Sequence, residues 1–75
     1  MQYTVDAIKL RRAMLDAGFT TISDLSSASN VNRNTIGGIL DGNIRPSSGV
    51  IEKIANALSL DGKDVGTIFF SQKLA

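Results

Sequence analysis

The chain has 75 residues, 43% of them hydrophobic, with no Cys, no His and a formal charge of +1 from eight Lys and Arg against seven Asp and Glu. One domain is the ceiling at this length, and its core must hold without disulfides or a Cys/His metal site. The same absences exclude thiolate nucleophiles, Ser-His-Asp triads and zinc centres, and the near-neutral balance excludes a basic coat for nucleic acid.

No carboxylates cluster as a metal site would require, so no metal, cofactor or small-molecule ligand is expected, and an enzyme is not the reading. Apolar runs are only a few residues long, far short of the ~20 needed to span a bilayer. The start MQYTVDAIKLRR mixes acid and base and lacks the apolar stretch of a secretory signal. A cytoplasmic protein with no membrane partner is expected. Without a repeat, a low-complexity tract or a charge block, residues 1–75 read as one domain.

Apolar residues recur at intervals of three and four rather than two, which predicts an all-α, compact bundle of about five short helices. A first helix over about Val5 to Ala17 turns Val5, Ile8, Met14 and Leu15 inward, with Leu10 flanking and Lys9, Arg12 and Asp16 outward, and stops at Gly18. Thr21-Ile-Ser-Asp24 is a capping box opening a second helix that runs through Leu25 to about Ala28. Asn30 can take the positive φ of a sharp turn. Asn32 caps a third helix that buries Ile36, Ile39 and Leu40 and ends at Asp41-Gly42. A loop over Asn43 to Pro46 leads to a fourth helix, capped by Ser47 or Ser48, with a stripe of Ile51, Ile54, Ala55 and Leu58. Leu60 packs beneath it. Asp61 to Asp64 is a second capping-box-like start, for a short helix carrying Val65, Ile68 and Phe69, and a tail follows that is flexible over about 71–75.

Residues 21–41 are thus two short helices joined by a turn of about three residues, the layout of a helix-turn-helix. The segment ISDLSSASNVNRNTIGGILDG, followed by IRP and VIEKIANALSL, resembles the Cro and lambda-repressor-like (XRE) family of DNA-binding domains. The resemblance implies a lambda-repressor-like fold with the third helix in the major groove and the second lying across the DNA backbone. Three positions depart from the family's pattern. Ser26 stands for a usual Ala, Asn30 for the turn Gly, and Ile22 for a Gln that often touches phosphate, a contact that Thr20 or Thr21 would have to supply.

With Ile36, Ile39 and Leu40 inward, the third helix presents Arg33, Asn34, Gly37 and Asp41, with Thr35 and Gly38 at the margins. Forked donors suit guanine and side-chain amides suit adenine, and Arg33 and Asn34 are those two types. Two glycines within a helix cost about 2 kcal/mol relative to alanines, so Gly37 and Gly38 need a reason. Close approach to bases or sugar-phosphate is the favoured one; tight packing against the second helix or a neighbouring chain is the other. By the resemblance, Asn43 and Arg45 touch phosphates, although Asp-Gly-Asn also makes a plain turn. The candidate DNA-binding set is therefore Thr21, Asn32, Arg33, Asn34, Thr35, Gly37, Gly38, Asn43 and Arg45. Lys9, Arg11, Arg12, Lys53, Lys63 and Lys73 are read as solvated faces.

The terminal Ile68-Phe69-Phe70 is dense for a short helix, and Phe69, Phe70 and Leu74 are assigned to a dimer or partner interface. The expected function is a sequence-specific transcriptional regulator, a small phage or mobile-element protein closer to Cro than to a repressor with a separate oligomerisation domain. It would bind double-stranded DNA as a homodimer on a near-palindromic operator. The alternative is an antirepressor or modulator that uses the same fold on a partner repressor.

Overall fold

A computed structural model describes residues 3–72. Five helices follow one another in the order α1 (Ala7–Asp16), α2 (Ile22–Ser29), α3 (Arg33–Leu40), α4 (Ser48–Leu58) and α5 (Gly62–Phe69), flanked by two-residue strands β1 (Tyr3–Thr4) and β2 (Ser71–Gln72).

Each helix opens on a side-chain acceptor. Asp6, Thr21, Asn32, Ser47 and Asp61 take hydrogen bonds from the backbone N–H of Lys9, Asp24, Asn34, Val50 and Asp64, at 2.7 to 3.3 Å. Such caps are each worth about 0.5–2 kcal/mol, which matters for helices of only two or three turns. The capping box at α2 is half formed. Thr21 caps Asp24, but the Asp24 carboxylate accepts from the Thr20 hydroxyl at 3.4 Å instead of reaching back to the Thr21 amide.

The core joins Leu10 and Met14 of α1, Leu25 of α2, Ile36, Ile39 and Leu40 of α3, Ile51, Ile54 and Leu58 of α4, and Ile68 and Phe69 of α5, together with Val31. The helix α2 packs on α3 and α4, while α1 packs on α3 and α5. Two α1 assignments are corrected. Ile8 and Leu15 are 72% and 61% exposed, and the buried stripe is Leu10 and Met14, with Ala7 and Ala13 packed beside them. Both stripes satisfy helical spacing; the small Ala side chains allow neighbouring helices to come close, and that places Leu10 inward.

The chain beyond Phe70 is more regular than expected. Ser71 and Gln72 pair antiparallel with Thr4 and Tyr3, the Asp6 amide donates to the Ile68 carbonyl at 2.7 Å, and Tyr3 meets Phe70 edge to face at 6.2 Å. Strands of two residues carry no detectable period, so this ribbon was not legible in advance. Residues 73–75, including Leu74, lie outside the described residues. No helix among the described residues is long and apolar enough to cross a membrane.

Candidate nucleic-acid interface

The turn between α2 and α3 is held by side chains that look unremarkable in sequence. Asn30 takes φ +60, the left-handed conformation expected of it, and its amide closes α2 on the Ser26 carbonyl. The Ser26 hydroxyl donates to the Val31 carbonyl at 2.6 Å, which gives the Ser-for-Ala departure a purpose. Ser29 is buried; it donates to the Leu25 carbonyl at 2.7 Å and accepts from the Val31 amide at 3.3 Å. These bonds satisfy both backbone groups of Val31 while its side chain enters the core. The angle between α2 and α3 is set by that arrangement rather than by a glycine.

From this base α3 projects its first turn outward. Arg33 and Asn34 are exposed, and the Arg33 Nη1 donates to the Ser23 hydroxyl at 3.5 Å, a long contact that leans the guanidinium toward the start of α2. Asn32 spends its carbonyl oxygen on the Asn34 amide, leaving its NH2 group as a donor. Thr21 likewise accepts at its hydroxyl oxygen and keeps its O–H to donate. Thr35 is half-buried on the flank, and Asn43 is exposed.

The two glycines separate. A Cβ at Gly37 would find only Ile22 Cδ1, at 3.9 Å, an ordinary contact. A Cβ at Gly38 would fall 2.3 Å from Ile44 Cδ1 and 2.6 Å from its Cγ1. A local packing reason therefore exists at Gly38, with the loop after α3 as the neighbour rather than α2. That loop is drawn back over the helix end because the amides of Asn43 and Ile44 both donate to the Gly38 carbonyl, at 2.8 and 3.1 Å. Ile44 was missed in the sequence, where a single apolar residue between Asn43 and Arg45 has no periodic partner to mark it.

These side chains supply a forked cation and an amide for base edges, and hydroxyl and amide donors for phosphates. A family model for the Cro/C1-type helix-turn-helix DNA-binding domain matches residues 9–68. The chain belongs to that family. No curated protein and no solved structure gives a significant match. As a Cro/C1-type domain it is a DNA-binding domain of a transcriptional-regulator family. The match spans all but the start of α1 and all but the last residue of α5, so the β1–β2 ribbon lies outside it at both ends.

Two further positions bear on the expected sites, Arg45 and Phe69. Arg45 directs its Nη2 to the Tyr3 carbonyl at 3.0 Å, tying the loop after α3 to the ribbon and leaving its other guanidinium N–H groups for a ligand. Phe69 is 4% exposed and belongs to the core, because at the last turn of α5 it falls one residue from Ile68 on the inward face; Phe70, at 50%, is the exposed aromatic. The charges over residues 20–46 cancel, Arg33 and Arg45 against Asp24 and Asp41.

Proposed function

We propose that this Cro/C1-type domain is a sequence-specific transcriptional regulator of a phage or mobile element, acting in the bacterial cytoplasm as a homodimer on a near-palindromic operator. In this reading α3 enters the major groove and Arg33 and Asn34 read base edges, while Thr21, Asn32 and Asn43 contact phosphates. The observation that carries it is the exposed Arg33-Asn34 pair at the N-terminus of a helix whose exit angle is pinned by Ser26, Ser29 and Asn30. Dimer contact is assigned to the exposed aromatic pair Tyr3 and Phe70, which meet edge to face at 6.2 Å.

A second reading, an antirepressor that binds a partner repressor, draws support from the zero net charge of residues 20–46, which gives little general attraction to DNA. Selection of duplexes from a random pool by the purified chain separates the two. Enrichment of a site with two half-sites about one DNA turn apart supports the regulator. No enrichment, together with a stoichiometric complex with a co-encoded repressor, supports the antirepressor.

A further inference from the structure

The outward line of α3 carries an apolar side chain that does not come from α3. With Ile36, Ile39 and Leu40 buried, helical geometry places Asn34, Gly38 and Asp41 farthest from the core. Gly38 has no side chain to present there, and the space its Cβ would take is filled by Ile44, whose Cδ1, Cγ1 and Cβ lie 2.3, 2.6 and 3.2 Å from that position. The Ile44 side chain is laid along the outer surface of the helix and held by the two amide bonds of its loop to the Gly38 carbonyl. It is nonetheless 39% exposed, so its methyl groups are not consumed by the packing.

We infer that Ile44 is a specificity residue which reads a thymine by contact with its C5-methyl group. The major groove offers one apolar feature, that methyl, and a branched aliphatic side chain on the groove-facing line of the helix is its natural partner. Asn34 and Gly38 are four residues apart, about 6 Å along the helix axis. Gly38 then serves by leaving room for a side chain supplied from outside the helix. The inference rests on the reading of α3 as the groove-reading helix.

The test begins from the site selected by the full chain. Each thymine of a half-site is replaced in turn by deoxyuridine, which deletes the methyl and leaves the Watson–Crick edge intact, and binding is measured for the natural chain, Ile44→Ala and Ile44→Val. The natural chain is expected to lose about fourfold in affinity per half-site at one position only, the value of one buried methyl-sized group. Ile44→Ala should lose a similar factor on the thymine duplex and be indifferent to uridine at that position, while Ile44→Val retains part of the discrimination. Should Ile44→Ala not fold, the uridine scan of the natural chain and the reduced discrimination of Ile44→Val decide. Indifference of the natural chain to every replacement overturns the inference, as does a selected half-site without thymine, or Ile44→Ala losing affinity uniformly with its discrimination intact. Failure to select any site overturns the DNA-reading function itself, and this inference with it.

Discussion

Gly37 and Gly38 are adjacent in sequence and do different things. An alanine at 37 meets nothing closer than 3.9 Å and gains helix propensity, so Gly37→Ala should raise stability by about 0.5–1 kcal/mol. At 38 the same change drives Ile44 off the helix, so Gly38→Ala should melt below Gly37→Ala, and adding Ile44→Ala should recover the difference. A double-mutant cycle on thermal or urea unfolding should return a coupling of about 0.5–3 kcal/mol for the Gly38 and Ile44 pair, and additivity within error would show that the two do not meet. Arg33 is expected to act on binding instead. Arg33→Ala should cost about 1–3 kcal/mol in affinity and relax preference at one base pair, as read by titration against single-base variants of the operator. A uniform loss across all of them would move Arg33 to the phosphates. The glycine pair and the Arg-Asn pair were both visible in the sequence, because cost and chemistry attach to single residue types. Ile44 was not, since its role depends on a loop folding back six residues after the glycine it covers.

At the scale of the helices, the caps were the most legible feature. Thr21, Asn32, Ser47 and Asp61 were each expected at or beside the position they occupy, because a short polar side chain before an apolar stripe has one common use. The inward face of α1 was misassigned because two stripes of equal spacing compete there, and only the neighbours decide between them. That face can be checked directly. Leu10→Ala should cost about 2–5 kcal/mol, whereas Ile8→Lys and Leu15→Lys should each change stability by less than about 0.5 kcal/mol. Equal losses at Leu10 and Ile8 in urea unfolding would contradict the packing described. Ser29 shows a different limit of sequence reading. A serine in a run of small polar residues gives no sign that it is buried and bonded to both sides of a turn.

For the whole molecule, the five-helix architecture and the helix-turn-helix were expected from spacing and resemblance, and the terminal ribbon was not. The ribbon relocates the exposed aromatic surface from the end of α5 to the Tyr3 and Phe70 pair. If that pair makes the dimer, Phe70→Asp should yield a folded monomer by light scattering, with operator binding weakened by at least tenfold, while Phe69→Asp should fail to fold because its site is the core. An unchanged molar mass for Phe70→Asp would place the interface elsewhere.

The pairing of Tyr3 with Gln72 has a topological consequence. The two ends of the described chain leave the domain side by side, on neighbouring strands. A short flexible linker can therefore join them without crossing α2, α3 or the loop that carries Ile44. The domain is in this sense nearly a closed ring, with its two described ends meeting on the ribbon.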